Sequence, residues 1–522
     1  MPQMYASIRS RITAFLIAAL IPLSLSLYGC GNGSGGNGSG GNGSGGTNFG
    51  LTASVAIVVT PASIAVNPGE ARPFYGVVTG TSNSGVTWAV TEGSSGGTVS
   101  GTGVYTAPAT AGTYHLMATS VVDSTKSATA TISVMDLHGI FFGDVDMRAV
   151  SGIHTATLLA SGKVLVAGGS DGYTEDYTEA GDQLAELYDP VGGTFSDSIK
   201  MTSPRTFHNA TLLQDGMVLL TGGFGSGFDQ PPILSSAELY DPGTNTFSAI
   251  SNMTTARAAH TATLLPNGKV LIAGGGTSGG WGFPAFGAGD SSAELYDPVT
   301  NSFTPTGAMN TPRFAHTATL LPNGKVLIAG GFSEGTIFTT MKALASSEFY
   351  DPSTGVFTPG PDMTQARGGH TATLLANGIV LIAGGLAQIG DISNYLVGPG
   401  DPDSVALASA DLLDLSSGQF ISTGNMTIDR EEHTATLLPD GRVLIAGGAT
   451  GSHGTLDSAE LYDPATGAFS ITDSMASQRS AHSATLLNND TVLITGGNSG
   501  GGRYDTGATG GVHTAELFRV LP

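Results

Sequence analysis

The sequence predicts an all-β protein whose larger part is one four-stranded unit copied seven times. The chain of 522 residues contains 78 glycines, which favours many tight turns over helices. A motif of the form His-x-Ala-Thr-Leu-Leu occurs seven times, at intervals of 49 to 63 residues. In five copies an Asn-Gly or Asp-Gly turn and a second apolar run follow the motif, which is typical of a β-hairpin.

The first residues have the pattern of an export signal. Arg9 and Arg11 precede an apolar stretch over residues 12–27, and Cys30, the chain's one cysteine, follows in the sequence Leu-Tyr-Gly-Cys. This pattern resembles a bacterial lipoprotein signal peptide, which implies that residues 1–29 are removed and that Cys30 is lipidated. The alternative is an ordinary cleaved signal with an incidental cysteine. We expect an extracytoplasmic protein, lipid-anchored to a bacterial membrane at the outer membrane or cell surface.

Two segments separate this signal from the repeats. Residues 30–50 hold the cysteine and a tract rich in Gly, Ser and Asn, which predicts a flexible tether. Residues 51–136 contain short alternating apolar runs bounded by turn residues, which predicts a β-sandwich. The run VTWAV and its flanking segments resemble bacterial Ig-like domains, and we expect Trp88 in the core. This domain is interpreted as a spacer or adhesion module.

The repeat itself has two further markers. The second predicted strand ends in paired glycines, such as Gly222-Gly223. In six units a phenylalanine follows seven residues after the tyrosine of the third strand or, in one unit, the leucine in its place, as in Tyr240 and Phe247. These features resemble kelch repeats, with Phe where that family usually has Trp. The resemblance implies that residues 137–522 form a kelch-type β-propeller with seven blades.

The chain ends predict how such a ring closes. The seventh unit stops one strand short, after Phe518. Before the first unit, Phe141 and Met147 have the aromatic-to-methionine spacing that marks every fourth strand. We therefore expect an all-β architecture: a seven-bladed kelch-type β-propeller closed by an N-terminal strand and preceded by an Ig-like β-sandwich.

Charged and metal-binding side chains recur in phase with the repeat. Six arginines each lie three residues before a repeat histidine: Arg205, Arg257, Arg313, Arg367, Arg430 and Arg479. If the histidine-bearing strand is innermost, these arginines could cluster at one mouth of the axial channel and bind an anion. The favoured alternative is packing between blades, because periodic acids such as Glu238 supply ion-pair partners. The same holds for the histidines, so no metal site and no cofactor is predicted.

Residues that break the repeat are better candidates for a ligand site. They lie in the loops after the paired glycines, which in a propeller emerge on one face and here combine aromatic rings with carboxylates. Such a surface suits a sugar or a protein partner, although loops that pack on themselves are equally compatible with the pattern. The candidate ligand-binding residues are Tyr173, Tyr177, Phe228, Trp281, Phe283, Phe286, Tyr395 and Tyr504.

Several function classes are disfavoured. The net charge of -22 repels nucleic acid. Copper oxidases of the galactose oxidase type also combine kelch propellers with Ig-like domains, but their cofactor needs a cysteine linked to a tyrosine, and Cys30 is assigned to lipid. No residue is given a catalytic role.

We expect a monomeric cell-envelope binding or adhesion protein that engages a glycan or an envelope or extracellular protein. The alternative is a carbohydrate-active enzyme of the epimerase or mutarotase type that uses loop carboxylates. A purely structural envelope protein is a third class.

Overall fold

The computed structural model describes residues 54–521 except 67, 70, 82, 136–138, 149–151, 171–182, 227–231, 278–288, 334–340, 390–404, 451–453 and 500–510. The regular structure of this part consists of β-strands and one 3-10 turn, Gly93–Gly96. None of its segments is a helix of the length and hydropathy that crossing a membrane requires. Cys30 lies outside the described residues.

The N-terminal β domain has three small sheets around one core. Its strands are β1 Ala56–Thr60, β2 Ser63–Val66, β3 Ala71–Pro73, β4 Tyr75–Thr79, β5 Val86–Val90, β6 Thr98–Val99, β7 Val104–Thr106, β8 Gly112–Ser120 and β9 Ser127–Val134. They form the sheets β1-β4, β2-β9-β8-β5 and β3-β7-β6. Phe74, Tyr105, Leu116 and Ile132 are buried in the core, and the partly buried Trp88 packs against them, as predicted.

The described residues after this domain form seven larger sheets, which we call blades 1 to 7, and one small sheet. Strand β10 is Gly139–Asp146. Blade 1 consists of β11 Thr155–Leu158, β12 Val164–Ala167, β13 Leu184–Asp189, β14 Thr194–Phe195 and β15 Ile199–Lys200, and blade 2 of β16 Asn209–Leu212, β17 Val218–Thr221, β18 Ala237–Asp241 and β19 Thr246–Ala249. Blade 3 consists of β20 Thr261–Leu264, β21 Val270–Ala273, β22 Ala293–Asp297 and β23 Ser302–Pro305.

Blade 4 consists of β24 Thr317–Leu320, β25 Val326–Ala329, β27 Ser347–Asp351 and β28 Val356–Pro359, and blade 5 of β29 Thr371–Leu374, β30 Val380–Ala383, β33 Ala410–Asp414 and β34 Gln419–Ser422. Blade 6 consists of β35 Thr434–Leu437, β36 Val443–Ala446, β37 Ala459–Asp463 and β38 Ala468–Ile471. Blade 7 consists of β39 Ser483–Leu486, β40 Val492–Thr495, β41 Thr514–Val520 and, as its outer strand, β10. A further small sheet consists of β26 Met341–Lys342, β31 Leu386–Ile389 and β32 Val405–Ala406.

The blades surround a common axis. The first strand of each blade contacts the first strands of both neighbours, and the first strand of blade 7 contacts that of blade 1. The second strands are buried along their whole length because both of their faces pack against neighbouring blades. The apolar cores therefore lie between blades: Leu213 and Leu219 of blade 2, for example, pack with Val270 and Ile272 of blade 3.

The predicted aromatic pair joins the two outer strands of a blade. Tyr240 lies directly opposite Phe247 in the β18-β19 ladder, and their ring centroids are 5.0 Å apart. Four other blades have the same pair at 4.8 to 5.1 Å. Tilted aromatic pairs at this separation add to the stabilisation that burial of the rings gives.

The paired glycines mark the places where the next blade comes closest. Gly222 has a φ of +59°, and a Cβ added to it would lie 2.3 Å from the Arg257 carbonyl oxygen of blade 3. Gly223 has a φ of +94°, and its added Cβ would lie 2.4 Å from the Thr206 carbonyl oxygen. Both the left-handed backbone and the close approach therefore require glycine at these positions.

The ring closes as the sequence predicted. Strand β10 pairs antiparallel with β41, and Phe141 lies opposite Phe518 with ring centroids 4.9 Å apart. Met147 is buried in the apolar core between blades 7 and 1. The first strand after the N-terminal domain thus supplies the outer strand of the last blade.

We expect the Phe141→Ala variant to lose about 3 kcal/mol of unfolding free energy, because a buried ring is removed from the closing sheet. The matched control is Phe142→Ala, in which the neighbouring ring is 37% exposed, and it should lose less than about 1 kcal/mol. Urea unfolding of both variants measures the difference. Equal losses would contradict this account of the closure.

Candidate functional site

The residues that directly follow the glycine pairs and the segments that connect successive blades lie on the same face of the ring, which we call the mouth face. In each blade the residue after the glycine pair forms a β-bridge with a residue just before the repeat histidine. Examples are Phe224 with Thr206, Phe332 with Phe314 and Asn498 with Ser480. These bridges position the connecting segments around the axial channel.

A ring of left-handed residues surrounds the axis on this face. Each residue directly before a repeat histidine has a φ between 50° and 62°: Ile153, Phe207, Ala259, Ala315, Gly369, Glu432 and Ala481. We call these seven residues the axial collar. Several are joined from blade to blade by backbone hydrogen bonds, such as Ala315 N–H to the Ala259 carbonyl at 3.1 Å. The collar therefore fixes the backbone positions from which the side chains around the axis extend.

One sector of the mouth face, over blades 2 to 5, is apolar. Phe224, Phe314, Phe332, Met341 and Leu386 form a buried cluster that is separate from the cores between blades, and Phe207 of the collar packs against it. Two of these residues, Met341 and Leu386, lie on strands β26 and β31 of the small sheet, which therefore belongs to this face. Among the described residues, this cluster has no counterpart in the other blades.

The opposite sector, over blades 6, 7 and 1, is polar. Glu431 is buried and Glu432, its neighbour in the collar, is half-buried. Ser480 occupies the position that holds Ala258 and Phe314 in two blades of the apolar sector, where the other two blades have threonine and glycine. Asn498 and Ser170 occupy the position that holds a phenylalanine or leucine in three blades of that sector and a glycine in the fourth. The sequence carries a signal for the two carboxylates, since no other repeat histidine follows an acidic pair. They were nevertheless absent from the predicted site, because they lie in the connecting segment and not in the loops after the glycine pairs.

The six repeat arginines do not line the channel. All six side chains are fully buried, and each pairs with the acid of the third strand in its own blade. In blade 4, Arg313 Nη2 lies 2.9 Å from Glu348 Oε1, and Nη1 donates to the Gly330 carbonyl at 2.7 Å. An anion site would need guanidinium groups that reach solvent. The burial of the guanidinium groups disfavours anion binding and supports a packing role, although the ion pairs lie within single blades and not between blades as expected, for Arg205, Arg257, Arg313, Arg367, Arg430 and Arg479.

The seven repeat histidines link neighbouring blades. Each is buried, with Nε2 hydrogen-bonded at 2.9 to 3.1 Å to a threonine hydroxyl of the preceding blade. In five links this threonine directly follows the preceding blade's own histidine. Blades 2 and 7 have Asn209 and Ser483 there, and the hydroxyl comes instead from Thr221 and Thr495, where other blades have alanine. The compensation shows that the repeat keeps this hydrogen bond even where the residue that supplies it changes.

Burial lowers the pKa of six of these imidazoles and keeps them neutral. Desolvation, followed by the charge of nearby arginines, lowers the pKa of His260 and of His433 to about 3. The same causes hold the pKa of four others well below the usual range: His208, His316, His370 and His482. Within the described ranges no three His, Cys, Asp or Glu side chains are grouped to hold a metal ion.

Comparisons with known proteins agree with this geometry. Residues 205–254 and 312–364 each match the kelch motif. Each match begins at or next to a buried arginine and includes the histidine, the glycine pair and the two aromatic positions. The chain is a kelch-repeat β-propeller.

Its relatives include a galactose oxidase and an F-box/kelch-repeat protein. This kelch propeller is 23% identical to a galactose oxidase of Gibberella zeae over 274 residues, which are 51% of this chain and 38% of that protein. It is 31% identical over 127 residues to the F-box/kelch-repeat protein SKIP30 of Arabidopsis thaliana, covering 23% of this chain and 34% of the relative. The chain thus spans well under half the length of these curated relatives.

A solved structure shows the same fold. It is described as a novel fungal alcohol oxidase with catalytic diversity among the AA5 family, in complex with copper, and it superposes with a TM-score of 0.56. The sequence identity is 21%, over 73% of this chain and 76% of the other. The chain's one cysteine is Cys30, outside the described residues, and the repeat histidines are hydrogen-bonded to threonines.

The aromatic residues that the sequence predicted as ligand contacts all lie outside the described residues, in the segments that follow the glycine pairs in the sequence. They are Tyr173, Tyr177, Phe228, Trp281, Phe283, Phe286, Tyr395 and Tyr504. Their role in binding stays a prediction. Phe224, which lies at the start of one of these loops, is buried in the apolar sector.

We expect Arg313→Met to lower the unfolding free energy by about 3 to 5 kcal/mol, because Glu348 is then left buried without its cation. The double variant R313M/E348Q should lose less, since it removes the uncompensated charge. Arg442→Met is the control, because Arg442 pairs with Asp440 in a surface turn. Stabilisation of the wild type by phosphate or sulfate that is absent in R313M would contradict the packing role.

The buried histidines predict a stability that falls in mild acid. The unfolded chain binds a proton at each histidine near pH 6.5, whereas folded His260 does so only near pH 3. The stabilisation is therefore complete above about pH 6.5 and is lost as the pH falls toward 3. His260→Gln should show a shallower decline of unfolding free energy between pH 6.5 and 5 than the wild type, by about one proton. Equal slopes in urea titrations would contradict this.

Proposed function

We propose that this protein is a seven-bladed kelch propeller with an Ig-like domain, held at the cell envelope by lipid on Cys30, and that its mouth face binds a glycan or a protein. Residues 30–50 act as the tether in this proposal. The main support for a binding surface on the mouth face is the contrast between residues that recur in every repeat and residues that do not. The recurring arginines, acids and histidines are used in packing, whereas the departures from the repeat concentrate, in the described part of the ring, on the mouth face.

The two sectors of the mouth face give it the character of a recognition surface. The apolar sector includes the half-buried ring of Phe207, and the polar sector includes the buried Glu431 and the half-buried Glu432. Rings that stack and carboxylates that accept hydrogen bonds suit the two sides of a sugar, and an aromatic patch with a polar rim also suits a protein. The names of the relatives support both classes, since one is a galactose oxidase and another an F-box/kelch-repeat protein.

A carbohydrate-active enzyme is the second candidate. Its support is the position of Glu431 and Glu432 beside the axis, because general acid and base catalysis on a sugar needs carboxylates at a pocket. An enzyme would convert a bound sugar, which NMR of the sugar would detect, and Glu432→Gln would abolish the conversion. A binder would retain the sugar unchanged.

We expect the triple variant W281A/F283A/F286A to bind its partner at least about tenfold more weakly, because aromatic side chains supply most of the energy at such surfaces. The partner is first found by screening the processed chain, residues 30–522 with Cys30→Ser, against glycan arrays and envelope extracts. Affinity is then measured by calorimetry, and the melting temperature should shift by less than about 2 °C.

The matched control is Val299→Ala. Val299 is 92% exposed in the turn between the third and fourth strands of the same blade, which lies at the end opposite the mouth face. This control should bind normally. Unchanged affinity of the triple variant, or a large drop in its melting temperature, would argue against these rings as ligand contacts.

A further inference from the structure

The boundary between blades 6 and 7 lacks a hydrogen bond that two other boundaries have, because the chain closes in blade 7. Between blades 3 and 4, Gly307 N–H donates to the Gly355 carbonyl, in the turn that joins the third and fourth strands of blade 4, at 3.0 Å. Gly424 and Gly467 form the same bond at 2.9 Å between blades 5 and 6. In blade 7 the outer strand is β10, which comes from the other end of the ring, so no turn joins it to β41. The same backbone hydrogen bond therefore cannot form between blades 6 and 7.

An aspartate stands at this position instead. Asp473 lies four residues after Phe469, the offset that Gly307 and Gly424 have from their own phenylalanines. One of its carboxylate oxygens accepts from Phe141 N–H of β10 at 3.2 Å. The neighbouring Thr472 hydroxyl donates to the Gly139 carbonyl at 3.1 Å, also on β10. The last residues of blade 6 thus hold the closing strand directly.

The same carboxylate reaches into the N-terminal domain. Arg72 Nη2 lies 2.8 Å from both carboxylate oxygens of Asp473. Arg72 is placed by strand β3, where it lies opposite the fully buried Tyr105 of β7. The Asp473 side chain is 2% exposed and that of Arg72 is 29% exposed. A buried carboxylate needs a cation or several donors, and Arg72 is the cation here.

We propose that the N-terminal β domain is a clasp that keeps the propeller ring closed, and that the Arg72–Asp473 ion pair is its contact with the seam. The domain thus does more than separate the ring from the membrane. It neutralises the carboxylate that positions β10, and so it stabilises the one blade whose strands come from both ends of the chain. The compact unit of Ser54–Pro522 is consistent with this joint role. The proposal does not depend on which partner the mouth face binds.

Hydrogen exchange of β10 tests the clasp. In the full folded chain, Arg72→Met should speed amide exchange in Gly139–Asp146 at least about tenfold, because opening of this strand no longer breaks a satisfied ion pair. Exchange in Val380–Ala383, in blade 5, should stay unchanged. Arg442→Met, which alters a surface pair, should leave both strands as in the wild type. Wild-type exchange of β10 in the Arg72→Met variant would overturn the proposal.

A second variant separates coupling from a general loss of stability. Asp473→Asn keeps an oxygen acceptor for Phe141 N–H but needs no cation. The double variant R72M/D473N should therefore protect β10 better than R72M alone, so that the two effects are not additive. Additive acceleration in the double variant would show that the two residues act independently, and the clasp would be rejected. Circular dichroism confirms that each variant is folded before exchange is measured.

Discussion

The ring depends on the close approach of each glycine pair to the connecting segment of the next blade. In blade 4, Gly331 N–H donates to the Arg367 carbonyl at 2.9 Å, and Gly330 leaves space for the His370 ring. This contact sets the position of the next blade's arginine, whose side chain then turns inward to its own blade's acid. It also sets the position of the histidine, whose Nε2 reaches back to a threonine. One backbone contact thus organises the recurring polar groups of the repeat.

That organisation explains where a function can lie. A residue that serves in every blade boundary is not available for a ligand, because changing it disturbs the ring. The unrepeated residues carry no such duty, and in the described part of the propeller they concentrate at the mouth face: a phenylalanine-rich sector over blades 2 to 5 and a carboxylate pair in blade 6. The repeated residues therefore support the ring, and the substitutions around the axis form the surface that we propose binds a partner.

Much of this fold could be predicted from the sequence, and there are physical reasons why the remainder could not. Turn residues, glycine pairs and the Phe141–Met147 spacing are local signals, so they identified the strands and the closing strand. The repeat shows that each arginine lies three residues before a histidine, but it does not show the direction of the side chain. The sequence was therefore compatible with an anion site, which the burial of the arginines in the structure disfavours. The Arg72–Asp473 pair joins residues 401 positions apart and belongs to no motif, so no pattern in the sequence predicts it.

The pairing of Gly139–Asp146 with Thr514–Val520 also has a consequence for how the protein is made. The strand that completes the last sheet is the first strand of the ring to be synthesised, and its partner β41 is the last. The closing sheet therefore cannot form until every blade between them has been synthesised. Pairing of β10 with β41 is a long-range contact, and contacts of high sequence separation form slowly in folding.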